Sequence, residues 1–504
     1  MTKKIDICLL LEGTYPYVRG GVSSWLHQII SGLPQYHFHL IFLGGSPEFY
    51  GEPVYELPDN VVGFEAHYLL HTPDKLTPTA RKGDSDMFEK WGQLVAYLEQ
   101  AKEPIPDELL DAVFSKLGNN NSLSLADFLY SRSSWEVLSK RYRDISPHKS
   151  FVDYFWTYRN IHQPLFTLAH IAENLPDAKV FHSLSTGYAG FLGALCKQKT
   201  KRPYILTEHG IYTKERKIDL SQASWIEDRH SLIDISMHKE MDQTRKTWVR
   251  FFEQLGLTAY HKADKIISLF EGNRQRQHAD GAPEYKTQVI TNGIDVARFE
   301  ETYAQRPVTP PLVVGLIGRV VPIKDIKTFI RAIRGAVEVM PTLQGWIIGP
   351  TEEDPSYARE CELLIDSLGL TEHVKLLGNQ NVAEMMPKLG VVMLTSISEA
   401  QPLVLLEAMA SGIPCIATEV GACREIIHGA PGEDASMGAA GSIIQIASPV
   451  QAAHAIIDTL TNTSQWHKTG DIGKQRVTRY YNETDMHHVY RTLYQEAIDG
   501  GNRF

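Results

Sequence analysis

Residues 391–418, VVMLTSISEAQPLVLLEAMASGIPCIAT, constrain the fold more than any other stretch of the chain. The apolar, β-branched run at 391–395 reads as a buried strand, and 396–401 as a polar turn. Pro402 stands where a first helical residue is tolerated, since its missing N–H would have no intrahelical acceptor. Residues 403–411 continue as a helix, Gly412 closes it, and 414–418 form the next strand. Strand, loop, helix and strand in this order make a crossover, the unit of a parallel sheet. Its loop presents the N–H groups of a helix N-terminus, a place for a phosphate or diphosphate. Glu399 before the helix and Glu407 on it, eight positions apart, put a carboxylate on either side of that place. One acid can serve sugar hydroxyls and the other ribose. The plainer alternative is a loop Glu and a helical Glu near a favourable dipole.

The rest of the chain repeats the strand–helix rhythm. Residues 5–11 read as a strand, EGTYPYVRGGV as a loop, 22–33 as a helix and 38–43 as a second strand. Gly20 and Gly21 let backbone come close to a ligand just before a helix N-terminus. They are not a G-x-G-x-x-G, so a dehydrogenase reading loses its main support. Strands at 179–183 and 204–207 flank a helix at 187–199. Glu208-His209-Gly210 then fall at a strand's C-terminal end, where open α/β sheets bind ligands. A strand at 288–290 runs into the turn Thr291-Asn292-Gly293-Ile294-Asp295, and RPVTPP at 306–311 reads as an interdomain linker. A strand at 312–317 leads to Gly318-Arg319, with Lys324 starting the next helix. A guanidinium and an ammonium there suit a pyrophosphate, and a cation at a helix start runs against the dipole, which points to function. Further strands are expected at 344–349, 373–378 and 442–446, with helices at 357–368 and 449–460 and an amphipathic tail at 478–498. Gly378-Asn379 ends one of these strands, at a loop that would sit beside a nucleotide base.

Between about residues 71 and 178 the rhythm lapses. Helical patterns at 86–102 and 154–173 mark a largely helical insertion, which reads equally as a structural cap or as an acceptor-binding or docking surface carrying Trp135, Tyr154, Phe155 and Trp156. Asp84-Ser85-Asp86 matches a cation-binding D-x-D, but its polar loop makes a surface turn the reading. His67 and His71 read as a structural pair, asparagines 119–121 as a loop, and Lys214, Arg216 and Lys217 as a solvated helix face. Fifty basic against sixty acidic residues leave −10, which argues against nucleic acid as a partner. The five cysteines, Cys8, Cys196, Cys361, Cys415 and Cys423, include no C-x-x-C pair and read as reduced core thiols. No stretch approaches a membrane span, and MTKKIDICLLLEG shows no signal-peptide cleavage pattern, so a cytoplasmic protein is expected.

E-x7-E within EAQPLVLLEAMASGIPCIAT resembles the signature of retaining GT-B glycosyltransferases of the large GT4 group. That resemblance implies two facing Rossmann-like domains, a nucleotide-diphosphate sugar donor and neither a metal nor any other cofactor. GRVVPIKD resembles the family motif whose Arg and Lys hold the donor diphosphate, here Arg319 and Lys324. By the same resemblance Glu407 takes ribose, Glu399 the donor sugar, and the amides around Pro402, Leu403 and Val404 the diphosphate. His209 stands where the family keeps an active-site histidine, and Gly20-Gly21 resemble its glycine loop. LLLEGTYPYVRGGVSSW and ILTEHGIYTKERKID are similar, more narrowly, to glycosyltransferases of Pel-type exopolysaccharide assembly. This implies a polysaccharide acceptor, a UDP-hexose or UDP-N-acetylhexosamine donor, and docking of the enzyme to a membrane-embedded export complex at the inner membrane. The expected division is an N-terminal domain over 1–305 containing the insertion, a donor domain over 306–477, and a helix over 478–504 crossing back. Two alternatives stay open: a synthase or phosphorylase of this fold acting on a small soluble sugar, and a non-catalytic nucleotide-binding scaffold.

Overall fold

The computed structural model describes residues 4–70, 79–100, 102–117, 123–145, 150–222 and 243–500. The chain folds as two compact units, Met1–Ser268 with Arg274–Gln288 and Arg491–Phe504, and Leu269–Asn273 with Val289–Tyr490.

The first unit is built on β1 (Ile5–Glu12), β2 (Phe38–Gly44), β3 (Val61–Tyr68), β4 (Ala178–Ser183), β5 (Tyr204–Glu208), β6 (Lys265–Ser268) and β7 (Thr287–Val289). The sheet order is β3-β2-β1-β4-β5-β6-β7, and the pairings from β3 through β6 are parallel. The order reverses between β1 and β4, which makes their C-terminal ends the switch point of a doubly wound sheet. All seven residues of β2 are buried, and six of the eight in β1, as befits strands covered on both faces.

The insertion is helical, with helices Ser85–Gln100, Asp107–Phe114, Leu125–Tyr130, Arg132–Ile145, Phe151–His162 and Pro164–Glu173. The stretch expected as one helix over 154–173 is two, because Pro164 cannot continue a helix and instead opens the next one. Trp91, Leu94 and Phe166 of the insertion share one buried cluster with Leu10, Phe181 and Phe191 of the sheet layer. Trp91 Nε1 donates to Tyr158 OH at 2.8 Å inside it. Of the four aromatics singled out above, Trp135 and Trp156 are exposed, while Tyr154 and Phe155 pack against the core.

Asp84 is a helix cap: its Oδ1 accepts the N–H groups of Asp86 and Met87, both at 3.1 Å. His67 and His39 both contact Glu65, at 3.2 and 3.0 Å. His71 and the asparagines at 119–121 lie outside the described residues. The basic face at 214–217 is solvated at Lys214 and partly packed at the other two cations. Arg216 lies over the Tyr212 ring at 4.9 Å, and Lys217 pairs with Glu253 at 2.6 Å. All five cysteines are buried and free of disulfides. Among the described residues no helix is long and apolar enough to cross a membrane.

The second unit carries β8 (Val313–Ile317), β9 (Gln344–Ile348), β10 (Val374–Gly378), β11 (Val391–Leu394), β12 (Cys415–Thr418) and β13 (Gly441–Ile444), ordered β10-β9-β8-β11-β12-β13. Every pairing is parallel. Side chains alternate between two cores. Val392, Leu394, Cys415 and Ala417 face Leu405, Met409 and Ile426, whereas Val391, Met393 and Ile416 face Phe329, Ile330 and Ile347. The helix Leu403–Ala410 joins β11 to β12.

Ile294, Val296 and Phe299 belong to the first of these cores. Arg306 donates to Asp471 Oδ1 at 2.8 Å and to the Gly412 carbonyl at 3.0 Å. The proline run at 306–311 therefore lies inside the second unit rather than at its border. The tail is not one helix either. Thr463–Tyr480 and Glu483–Asp499 are separated at residues 481–482, where Ile294 N–H donates to Tyr481 O at 2.9 Å and Glu483 N–H to Ile294 O at 3.0 Å. Gly293 is required there, since a Cβ would lie 2.5 Å from Glu483 Cα. Within the first unit, Tyr494 OH is hydrogen-bonded to His182 Nδ1 at 2.8 Å.

Candidate active site

In the second unit the strand order reverses between β8 and β11, so ligands are expected at the C-terminal ends of those two strands. Arg319 and Lys324 follow β8, and Glu399 with the helix Leu403–Ala410 follow β11. Lys324 does not start a helix. It closes the 3-10 turn Pro322–Lys324, and Asp325 caps the helix Ile326–Val337 by accepting the Thr328 N–H at 3.2 Å. The expected conflict with the helix dipole is thus relieved by an intervening acid. Backbone contacts bring the two segments together: Ile397 N–H donates to Ile323 O at 2.8 Å, and Thr395 Oγ1 to Lys324 O at 2.9 Å. Lys324 Nζ then donates to Glu399 Oε1 at 2.5 Å, with both side chains largely covered. Arg319 Nη1 donates to both carboxylate oxygens of Glu353, at 2.5 and 2.7 Å, on the loop after β9.

Pro402 is the residue before the first helical turn, and no side chain caps that turn. Leu403 and Val404 thus offer the N–H groups that a helix leaves without internal acceptors. The loop ahead of them is clamped. Ala422 N–H donates to Ala400 O at 2.7 Å, and Thr418 Oγ1 to Ser396 O at 2.6 Å. Gly421 has φ +52, and a Cβ there would fall 2.2 Å from Glu399 O, so the loop depends on a glycine beside it. Glu407 is partly buried on the helix; burial raises its carboxyl above the usual range, against a smaller opposing pull from Arg298. Gly378 and the exposed Asn379 end β10, two strands from the switch, with Gly349 N–H donating to Gly378 O at 2.8 Å. The structure thus gathers Arg319, Lys324, Glu399 and the 402–404 amides at one strand junction and sets Gly378 and Asn379 further along the same edge.

In the first unit, β5 ends on Glu208, followed by His209. Glu208 is buried and accepts from Tyr260 OH at 2.6 Å, Thr186 Oγ1 at 3.0 Å, and Tyr212 N–H and Gln277 Nε2, both at 3.1 Å. His209 is buried against Trp25, ring centroids 4.6 Å apart. Burial pushes its pKa down to about 3, so the ring is neutral near pH 7. Trp25 lies on the helix Gly21–Gly32, so Gly20-Gly21 and His209 are linked through that indole. At Gly20 and Gly21 an added Cβ would meet nothing within 4 Å, so neither glycine is demanded by packing. Glu12, closing β1, accepts from Tyr212 OH at 2.7 Å and from Ala189 N–H at 3.1 Å, which caps the helix after β4. Sequence reasoning did not single out Glu12, Glu353 or Arg298. The signal for Glu353 was an acidic TEEDP directly after a strand. Among the described residues no group of three or more His, Cys, Asp or Glu is placed to hold a metal.

Two parallel Rossmann-like sheets, the second with cations and a helix N-terminus at its switch point, define a GT-B glycosyltransferase fold. Anabaena Alr3699/HepE, solved in complex with UDP and glucose, shares the fold with a TM-score of 0.59 and 15% identity over 97% of this chain and 99% of its own. Residues 311–462 match the family described as Glycosyl transferases group 1. Residues 5–285, more than half of the chain, match the Domain of unknown function (DUF3492), and the protein belongs to that family. Among curated relatives, the N-acetyl-alpha-D-glucosaminyl L-malate synthase of Bacillus anthracis is 29% identical over 136 residues, 27% of this chain and 34% of that protein. A D-inositol 3-phosphate glycosyltransferase of Corynebacterium urealyticum is 24% identical over 300 residues, 55% of this chain and 67% of that protein. The match to the first of these relatives spans only about a third of its length.

Proposed function

We propose that this chain transfers a sugar from a nucleotide diphosphate, a UDP-hexose or UDP-N-acetylhexosamine, to a growing exopolysaccharide, with retention at the anomeric carbon and without a metal. The observation that carries this reading is the meeting of Arg319, Lys324, Glu399 and the uncapped start of the helix Leu403–Ala410 at one strand switch. Two cations and aligned amides can stabilise the charge that develops on a departing diphosphate, the part a metal plays elsewhere. Glu407 takes the ribose hydroxyls, Glu399 orients the donor sugar, and Gly378 and Asn379 flank the base. In transfer, the bond between the anomeric carbon and the β-phosphate oxygen breaks as an acceptor hydroxyl oxygen bonds to the same face. The hydroxyl proton passes to the departing phosphate oxygen. His209, Gly20 and Gly21 carry the first unit's share of the reaction, as the family resemblance implies. The enzyme works at the inner membrane by docking to an export partner through the helical insertion, whose exposed Trp135 and Trp156 supply contact area.

Purified protein given a panel of UDP- and GDP-sugars in EDTA should release nucleotide with one UDP-sugar, and the product's anomeric signal in NMR should match the donor's. Failure with every donor would sink the enzymatic reading. Turnover that EDTA abolishes and manganese restores would sink the metal-free one. For docking, cell fractionation should show the protein with membranes only when the partner operon is present, and Trp135→Glu with Trp156→Glu should release it.

A further inference from the structure

Helices Leu125–Tyr130, Arg132–Ile145 and Phe151–His162 of the insertion enclose a cavity of about 120 Å³. Among the residues that line it, Phe128, Leu138 and Tyr158 are buried and Trp135 is exposed, so it runs from the insertion's interior to its surface. Arg159 lines it as well. Its guanidinium lies 4.5 Å from the Phe155 ring centroid, and Nη2 donates to the Leu129 carbonyl. An arginine carries more N–H donors than that one bond uses. Among the described residues this guanidinium makes no other hydrogen bond and meets no carboxylate. Burial pulls its pKa below the usual value, with the Tyr130 phenol opposing in part. A half-buried cation without a counter-ion is a cost. The neighbouring polar groups are largely spent. At the start of the helix Arg132–Ile145, Arg132 N–H donates to Arg81 O at 2.9 Å, Ser133 N–H to Lys82 O at 3.1 Å and Ser134 N–H to Ser131 Oγ at 3.1 Å. Ser134 Oγ donates to Phe128 O at 2.6 Å. A doubly charged phosphate would find one guanidinium and no free helix amides here, whereas a carboxylate is matched by the fork of a single arginine. The volume bounds the rest of the ligand. An apolar cavity of about 150 Å³ holds a benzene, so a body of about four to six carbons fits this one.

We propose that this cavity binds a small carboxylate with a short alkyl or ring body, its charge paired with the Arg159 guanidinium and its carbons among Phe128, Leu138 and Tyr158. The ligand supplies the counter-charge that Arg159 lacks, and burying its carbons against the rings adds apolar contact. The site lies wholly within the first unit's insertion. It stands independently of sugar transfer, which is placed at the second unit's strand switch.

Fluorine NMR of the full chain labelled with 5-fluorotryptophan tests this, with the Trp135 signal assigned through Trp135→Phe. Titration with sodium pentanoate should shift that signal saturably. 1-Pentanol, equal in chain length and uncharged, should bind about tenfold or more weakly, the scale of a hydrogen bond to a charged group. Inorganic phosphate should also bind less tightly than pentanoate. Arg159→Met keeps an apolar stem and loses the charge. It should weaken pentanoate about tenfold or more and leave 1-pentanol within about threefold. If that variant does not fold, the comparison of pentanoate with 1-pentanol in wild type decides by itself. The proposal is overturned by 1-pentanol or phosphate binding as tightly as pentanoate, or by an Arg159→Met chain that keeps its pentanoate affinity. A Trp135 signal that pentanoate does not move overturns it as well.

Discussion

Glu399 and Lys324 form a covered pair at 2.5 Å, and in the proposed reaction the same carboxylate orients the donor sugar. Glu399→Gln keeps the shape and removes the charge. It should leave UDP affinity within about twofold and lower turnover about a hundredfold, the scale of losing one preorganised polar contact to the reacting group. Steady-state kinetics beside UDP calorimetry separates the two effects, and equal loss in both would remove Glu399 from the sugar. His209 and His182 make a different kind of prediction. Both are buried, and burial pushes each pKa down to about 3, below the ordinary 6.5. The unfolded chain then binds more protons than the folded one between those values. Their contribution to stability is complete above about pH 6.5 and is lost as the pH falls toward 3, at up to about 1.4 kcal/mol per histidine per pH unit. Urea melts at pH 7, 6 and 5 should show this decline, and His182→Gln should make it shallower. A stability flat over that range would contradict the burial of neutral rings.

The crossover at 391–418 was legible because its punctuation is local. Pro402 cannot accept an earlier helix start, Gly412 closes the last turn at φ +69, and β11 and β12 are short apolar runs. Other elements depend on distant partners. β3 is half-buried along its whole length and includes Glu65 and His67, so no alternation of buried and exposed positions marks it, and β6 is only four residues long. The break at residues 481–482 is set by Ile294, nearly two hundred positions earlier, which no local pattern reveals. The same holds in the site. The pairing of Arg319 with Glu353 joins loops after two neighbouring strands, and the partner of Gln401 lies on the turn at Asn292. Gly421 is the element-scale test. Gly421→Ala adds a Cβ 2.2 Å from Glu399 O at φ +52, which should cost about 1–3 kcal/mol of stability and displace the 399–401 loop. Thermal melts and UDP titration should both report it; an unchanged melt would mean that the loop is looser than described.

At the scale of the molecule, the insertion is not an appendage, since Trp91, Leu94 and Phe166 share the first unit's core with Leu10 and Phe181. Deleting residues 85–173 should therefore leave an insoluble or unfolded chain, and a soluble, cooperatively melting deletion would show that the helices merely sit on the sheet. The second unit has its own two cores and carries the cations and the uncapped helix. The central claim is that this unit holds a nucleoside diphosphate with Glu407 on its ribose. Titration of UDP into wild type and Glu407→Ala by calorimetry tests it most directly. One site per chain is expected for wild type in EDTA, with Kd raised about tenfold or more in the variant. Equal affinity in the two proteins would contradict the assignment.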